Sequence, residues 1–131
     1  MTLVVDASVA LSAGAAEEPL SGFADRDLVA PALMWSEARA TLHLNVWRER
    51  IAAEDGKILH ERLESLPVER RSPADLGGVA WRIADEMGWG RTYDAEYLAL
   101  ARLLGCRVVT LDARLRRGAD RLGLVISPGE L

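Results

Sequence analysis

The stretch RTYDAEYLALARLLGCRVVTLD, residues 91–112, contains a helix whose apolar side carries a carboxylate. The spacing of its Leu, Ala and Tyr residues predicts a helix over 94–104. On a helical wheel Asp94 falls in the apolar sector with Leu98, whereas Glu96 falls on the other side. An aspartate in a first turn can satisfy free backbone N–H groups, but such capping does not explain why Asp94 faces the core side. We therefore treat Asp94 as a candidate functional residue.

Short strands alternate with helices along the rest of the chain, apart from a loop predicted over 15–26. This alternation predicts the α/β class, as a three-layer α/β/α sandwich around a central, mostly parallel sheet. Ser72 is the predicted N-cap of the fourth helix, with Pro73 at its first helical position. The predicted strands are 3–5, 27–30, 68–70 at an edge, 107–111 and 124–126, and the predicted helices are 8–14, 33–50, 52–65, 73–87, 94–104 and one that starts near 113.

Length and composition favour one folded domain spanning residues 1–131. Half of the residues are hydrophobic and 27% are charged, which is typical of a folded soluble protein. The net charge of −4 argues against non-specific coating of nucleic acid, but it allows a local basic surface. The chain shows neither the basic start of a secretory signal nor an apolar run that could span a membrane. Because Cys106 is the only cysteine, an internal disulfide is excluded, and we expect a cytoplasmic location.

Two aspartates follow predicted strands directly. Asp6 ends LVVD at 3–6, and Asp112 ends RVVTLD at 107–112. Ligands of open parallel sheets bind beyond the carboxyl ends of the strands, where the strand order reverses. Either aspartate alone is more simply explained as the cap of the following helix, but together they suggest a site.

A cluster of four acids would form if Asp6, Glu37, Asp94 and Asp112 converge. Their mutual repulsion would raise their pKa values, and a divalent cation would relieve it. Oxygen ligands without Cys or His favour Mg²⁺ or Mn²⁺, which can activate water and stabilise the displacement at a phosphodiester. We expect Asp94, and not Glu96, to point into this cluster.

The long helix over 33–50 has a second apolar sector, formed by Ala40, Leu44 and Trp47. This sector could bind a partner, or it could be buried within the monomer. The sequence leaves both possibilities open.

Several of these motifs together resemble the PIN-domain ribonucleases, particularly the VapC-type toxins of bacterial and archaeal toxin–antitoxin pairs. The resemblance follows the family's order and spacing over nearly the whole chain. The motifs are VVDASV at 4–9, a lone glutamate at Glu37, TYDAEYLALARLLGC at 92–106 and VVTLDARL at 108–115.

The resemblance implies a PIN-like fold and a Mg²⁺- or Mn²⁺-dependent endoribonuclease that hydrolyses RNA as a toxin. It also implies a homodimer and a cognate antitoxin that blocks the site. Six residues would have roles in the site: Asp6, Glu37, Asp94 and Asp112 as catalytic, metal-binding acids, and Ser8 and Thr110 as supporting polar residues.

One departure from the family concerns the residues after Asp112. Some relatives carry another acid or amide there, whereas this chain has arginines, so the number of metal ions stays open. The arginines could contact the RNA backbone or form a solvated helix face. The candidates for RNA contact are Arg91, Arg114, Arg116 and Arg117.

Other α/β proteins with aspartates at strand ends fit less well. A phosphoacceptor receiver domain needs a second acid beside the first strand, but Ala7 follows Asp6. A phosphatase of the D-x-D type has an acid where this chain has Ser8. The main alternative is a catalytically silent PIN-like module that binds protein or RNA, and the presence of all four acids counts against it.

Overall fold

The computed structural model describes residues 1–17, 21–23 and 25–131. In this part of the chain five strands form one sheet, in which all four pairings are parallel. The order across the sheet is β3-β2-β1-β4-β5. The strands are β1 (Thr2–Val5), β2 (Asp27–Ala30), β3 (Glu69–Arg70), β4 (Arg107–Val109) and β5 (Val125–Ile126).

Helices cover this sheet in two groups. The first three helices pack against one another, while the fourth packs on the fifth, which lies on β1 and β4. The predicted three-layer α/β/α sandwich is confirmed, and the sheet is wholly parallel in the described residues. The helices are α1 (Ala7–Ala15), α2 (Leu33–Trp47), α3 (Ala53–Glu64), α4 (Leu76–Met87), α5 (Tyr93–Leu104) and α6 (Ala113–Ala119).

The fifth helix lies deepest in the core. Its run of small and large apolar residues lets it approach β1 and β4 closely, and Leu98 and Leu100 are fully buried. It ends at Gly105, whose φ of +68° is in the left-handed region that glycine adopts without strain. This packing positions the first turn of α5 at the carboxyl edge of the sheet.

The order of the strands creates a switch point beside β1. The chain passes from β1 to β2 and β3 on one side, and then to β4 and β5 on the other. Ligands of open α/β sheets bind at such a reversal, beyond the carboxyl ends of the strands.

Two predicted helix ends differ from the structure. The second helix ends at Trp47 rather than at 50, because Glu49 adopts the left-handed region at φ 60°. The fourth helix begins at Leu76, not at Pro73, because the Leu76 N–H closes a turn onto the Pro73 carbonyl at 3.0 Å before the helix starts. Neither end has a glycine or a side-chain cap that the sequence could reveal.

Other elements agree with the sequence to within a residue or two. The third strand lies at the sheet edge, as predicted. The predicted loop over 15–26 contains one 3₁₀ turn, Ser21–Phe23, and its positions 18–20 and 24 lie outside the described residues.

The second apolar sector of α2 faces solvent. Leu44 is 41% and Trp47 is 74% exposed, and Ala40 is exposed as well. Of the two possibilities that the sequence left open, burial within the monomer is therefore excluded for this sector.

Within the described ranges, no helix combines the length and the apolar character that crossing a membrane requires.

Candidate active site

Asp6 and Thr110 are neighbours because of the register between β1 and β4. Val5 pairs with Val109, so the residues that follow each strand lie side by side at the carboxyl edge of the sheet. Asp6 is only 5% exposed and Thr110 only 2%, and they are the buried polar residues of the described core. A carboxylate buried to this degree needs hydrogen-bond donors.

Those donors come from the first turn of α1 and from the residue that follows β4. Ser8 Oγ donates to Asp6 Oδ1 at 2.6 Å, and the Val9 N–H donates to the same oxygen at 3.1 Å. Thr110 Oγ1 donates to Asp6 Oδ2. Asp6 thus caps α1, as expected for an aspartate before a helix, and it is also held by the residue after β4.

The same two hydroxyl groups fix the loop that carries Asp112. The Leu111 N–H donates to Ser8 Oγ at 3.0 Å, and the Asp112 N–H donates to Thr110 Oγ1 at 2.9 Å. This loop explains why the strand predicted over 107–111 ends at Val109, since the Leu111 amide bonds to a side chain instead of a strand. Asp112 Oδ1 then accepts the Arg114 N–H at 2.9 Å and caps α6.

Asp94 stands in the first turn of α5, between charges of both signs. Arg114 Nη2 lies 3.5 Å from Asp94 Oδ2 and 3.6 Å from Asp112 Oδ2. Burial raises the pKa of Asp94, and the Arg114 guanidinium opposes that rise. The negative charges of Asp112 and Asp6 raise the Asp94 pKa further.

Glu37 completes the group from the second turn of α2. The hydroxyl of Tyr97 donates to its Oε1. Burial raises the pKa of Glu37 most, the hydrogen bond from Tyr97 opposes the rise, and the charges of Asp94 and Asp6 add to it. The four acids that the sequence singled out therefore lie close enough for their charges to interact, and Asp94 interacts with each of the other three.

Tyr97 is a site residue that sequence reasoning treated only as part of the apolar sector. Its side chain is 1% exposed, and burial together with the Glu37 carboxylate raises the pKa of its hydroxyl. A buried tyrosine normally has a hydrogen-bond partner for its O–H. Because Tyr97 falls in the apolar sector of the helix, this rule could have indicated a polar neighbour from the sequence.

Asp94 points into the acidic cluster as expected, but Glu96 is not remote from it. The charge of Glu96 also raises the pKa of Glu37, although it is the smallest of the three acidic contributions. Both acids of the first turn of α5 therefore act on the cluster, with Asp94 nearer its centre.

Carboxylate oxygens are the donors that Mg²⁺ and Mn²⁺ prefer, so the chemistry of this set fits a hard divalent cation. Burial is the main cause of the raised pKa values of Glu37 and Asp94, and the charges of the neighbouring acids add to it. A bound cation would offset this repulsion between the acids. In the described ranges, however, no three Asp, Glu, His or Cys side chains converge closely enough to hold one ion. The Arg114 guanidinium bridges Asp94 and Asp112 instead.

A groove of about 540 Å³ opens beside the acids. Six of its lining residues are charged or aromatic: Glu37, Trp89, Arg91, Tyr93, Asp94 and Arg114. It therefore combines carboxylates, guanidinium groups and aromatic rings in one surface.

The four candidate arginines differ in their surroundings. Arg91, Arg114 and Arg117 are exposed. Arg114 is paired with Asp94 and Asp112, but its side chain is 77% exposed. The side chain of Arg116 is only 31% exposed, pairs with Glu130, and has its Nε 3.3 Å from Asp120 Oδ1. That pairing and hydrogen bonds from Ser127 lower the pKa of Glu130 to about 2.

Thr110→Val is expected to lower the free energy of unfolding by about 1–3 kcal/mol, the cost of leaving buried polar groups without partners. The change keeps the shape of the side chain but removes the donor to Asp6 and the acceptor for the Asp112 N–H. Urea denaturation measures the loss. Thr41→Val is the matched control, because Thr41 is exposed on α2. Equal stability of Thr110→Val and wild type would contradict the role of this network.

The sequence matches the PIN domain family over residues 3–121. It is 37% identical over 117 residues to ribonuclease VapC9 of Mycobacterium tuberculosis, with 86% of this chain and 87% of that protein covered. The fold is similar to PAE2754 of Pyrobaculum aerophilum, with a TM-score of 0.72, 25% identity, and coverage of 99% of this chain and 85% of that one. It is also similar to VapC20 of M. tuberculosis, a sarcin–ricin loop cleaving toxin, with a TM-score of 0.57, 19% identity, and coverage of 88% and 93%.

Proposed function

This chain belongs to the PIN-domain family, and on that premise we propose that it is a VapC-type endoribonuclease that hydrolyses RNA phosphodiester bonds with Mg²⁺ or Mn²⁺. One observation supports the proposal: Asp6, Asp94, Asp112 and Glu37 lie at the switch-point edge of the sheet, near enough for their charges to raise the pKa values of Glu37 and Asp94. Folded as one domain, the chain would act in the cytoplasm, where its RNA substrate lies.

The metal would be held by Asp6, Asp94 and Asp112, with Glu37 as a ligand directly or through water. When bound, the ion would supply an activated water and stabilise the charge that develops on the phosphate. The present position of Arg114 between Asp94 and Asp112 means that its guanidinium and the ion compete for the same two carboxylates.

Three residues of the chain would orient the acids for this chemistry. Ser8 and Thr110 hold the two oxygens of Asp6, which fixes the rotation of its carboxylate. Tyr97 holds Glu37 Oε1 in the same way. Groups that orient metal ligands are worth about 10–100-fold in metal affinity or activity.

The arginines near the groove would contact the RNA. Arg91 and Arg114 line the groove, and Arg117 is exposed one turn farther along α6. Guanidinium groups bind phosphate oxygens through paired hydrogen bonds, and they position a strand without reading its sequence. We leave Arg116 out of this surface because Glu130 and Asp120 hold it and only 31% of its side chain is exposed, against 77% for Arg114.

We further propose that the chain is the toxin of a toxin–antitoxin pair, that it forms a homodimer, and that a cognate antitoxin blocks the site. Relationship to the VapC proteins supports these roles. The exposed sector of α2 with Leu44 and Trp47 supplies apolar surface for such a contact. Large exposed apolar side chains that adjoin one another commonly mark interaction sites.

A catalytically silent PIN-like module remains the rival. It predicts RNA or protein binding without cleavage. It does not explain why the chain has acids at Glu37 and Asp94, where burial and neighbouring charges raise the pKa and so disfavour the ionised form.

The test is RNA cleavage by the purified chain with Mg²⁺, with Mn²⁺ and with EDTA. We expect cleavage with either ion, none in EDTA, and recovery when the ion is restored. Asp112→Asn, purified in parallel, controls for contaminating nucleases and should be inactive. Cleavage that persists in EDTA, or equal cleavage by Asp112→Asn, would overturn the metal-dependent mechanism.

Growth separates the toxin role from the chemistry. Expression of the wild-type chain without a partner should arrest growth, and expression of Asp112→Asn should not. Normal growth of cells that contain active enzyme would contradict the toxin role and leave the nuclease intact.

A further inference from the structure

We propose that Trp89 and Tyr93 bind one unstacked nucleobase of the RNA beside the scissile phosphate, and so act as positioning residues for cleavage. This inference rests on the function proposed above. It assigns a substrate-binding role to two aromatic residues whose rings the acids and the metal do not require.

Both rings belong to the groove that contains Glu37 and Asp94, so a base bound there lies next to the acids. Tyr93 is 54% exposed at the start of α5, one residue before Asp94. A tyrosine so exposed contributes little to the core, and its ring is accessible to a planar ligand. Exposed aromatic rings are the surfaces on which single-stranded nucleic acid stacks.

Trp89 is held rigidly, which suits a binding surface. It follows Gly88, which ends α4 in the left-handed region at φ 69°, and its N–H donates to the Ala84 carbonyl at 2.9 Å. Its ring packs over Gly118 of α6, where an added Cβ would lie 3.7 Å from Cζ2. Trp89 is partly buried against the core and also lines the groove. A site built on such fixed elements loses little freedom when a ligand binds.

The charges of the groove match a nucleotide better than an apolar ligand. Arg91 and Arg114 can bind the phosphates, and the neutral base can lie on the rings of Trp89 and Tyr93. The neighbouring carboxylate of Asp94 makes the groove a poor site for phosphate alone.

The size of the groove favours one splayed nucleotide. Its volume of about 540 Å³ is in the range of sites for small molecules. Bases in a duplex are stacked on their neighbours and are not available to such a site. Only an unpaired or extruded base can therefore reach the rings.

Binding without cleavage tests the proposal. The probe is a short fluorescein-labelled single-stranded oligoribonucleotide, and its anisotropy is followed in EDTA. We expect Tyr93→Leu and Trp89→Leu each to raise Kd by about 5- to 150-fold, the range for the loss of one stacked base. The same strand annealed to its complement should bind weakly to wild type and equally weakly to both variants.

Trp81→Leu is the matched control, because Trp81 is 66% exposed on α4 and does not line the groove. Its Kd should equal that of wild type. Tyr93→Phe and Trp89→Phe keep an aromatic ring and should bind the RNA with a Kd near that of wild type. If binding depended on the polar atoms of these side chains, the Phe variants would bind as weakly as the Leu variants. Thermal melts show whether each variant folds, and the exposed Tyr93 keeps the test valid if Trp89→Leu unfolds.

The salt dependence separates stacking from charge. Arg91→Gln should reduce the slope of log Kd against log salt concentration by about 1 or less, since one phosphate contact is lost. Tyr93→Leu should weaken binding but leave the slope unchanged.

The failure of this inference differs from the failure of the proposed function. Unchanged Kd values for folded Tyr93→Leu and Trp89→Leu, or no RNA binding by wild type, overturn the nucleobase site even if RNA is cleaved. Weaker binding by these variants in a protein that never cleaves RNA upholds the site and overturns the nuclease. A groove that serves a protein partner instead would leave RNA binding unchanged in every variant.

Discussion

Asp94→Asn should lower RNA cleavage by more than about 100-fold and raise the melting temperature by a few degrees. The expected loss of activity exceeds the loss of about 10–100-fold that follows removal of a residue that only orients a metal ligand, because Asp94 would bind the metal itself. Asparagine keeps the shape of the side chain and its position in the first turn of α5, but it removes the charge that the metal would bind. Loss of activity would then come from chemistry and not from unfolding.

The gain in stability follows from the raised pKa of Asp94. Burial disfavours the ionised carboxylate in the folded protein, and the charges of Asp112 and Asp6 disfavour it further. When the folded pKa exceeds the unfolded pKa, the unfolded chain binds fewer protons, so stability falls as pH rises through the folded pKa. The advantage of Asp94→Asn should therefore be full at neutral pH and shrink as pH falls toward 3.8, the ordinary pKa of the group. Removal of a functional charge commonly stabilises a protein in this way.

Melting curves with and without Mn²⁺ give the second readout. An ion that binds only the folded state should raise the melting temperature of wild type, and this shift should be small or absent in Asp94→Asn. Asp85→Asn makes the same chemical change at an exposed position of α4 and should alter neither property. An Asp94→Asn protein that cleaves RNA normally would exclude Asp94 from the mechanism.

Leu98→Ala should lower the free energy of unfolding by about 2–5 kcal/mol. Leu98 is fully buried in α5, the helix that lies on β1 and β4 and carries Asp94 in its first turn. Truncation removes apolar contacts and leaves a cavity. The sheet and the neighbouring helix are closely packed and cannot move far enough to fill it. Urea denaturation measures the loss, and the melting temperature should fall by about 7–18 °C in a chain of this size.

Leu103→Ala is the matched control in the same helix. Leu103 is 37% exposed, so the same deletion removes fewer contacts and should cost less than about 1 kcal/mol. A Leu98→Ala protein as stable as Leu103→Ala would contradict the deep placement of α5.

Much of the fold could be predicted because it depends on local patterns. The alternation of short strands and helices follows from periodicity, and the strand over 27–30 lies where an apolar run before Pro31 indicates. The helix ends at Trp47 and Leu76 could not be predicted, because backbone turns without a distinctive residue determine them.

The candidate site shows the same division. Sequence motifs selected Asp6, Glu37, Asp94 and Asp112 without any information about distance. The hydrogen bond between Tyr97 and Glu37 joins residues sixty positions apart, so no local pattern could reveal it.

By itself the sequence determined the α/β class and the side of α5 on which Asp94 lies, since both follow from residue type and short-range spacing. The tertiary structure alone decided that β1 and β4 are neighbours, and hence that Thr110 reaches Asp6 across the switch point. It also decided that Arg114 bridges Asp94 and Asp112, and that aromatic rings line the groove beside them. The physical reason is that strand order and side-chain convergence depend on packing between distant parts of the chain, whereas periodicity and capping depend on residues within one turn or strand.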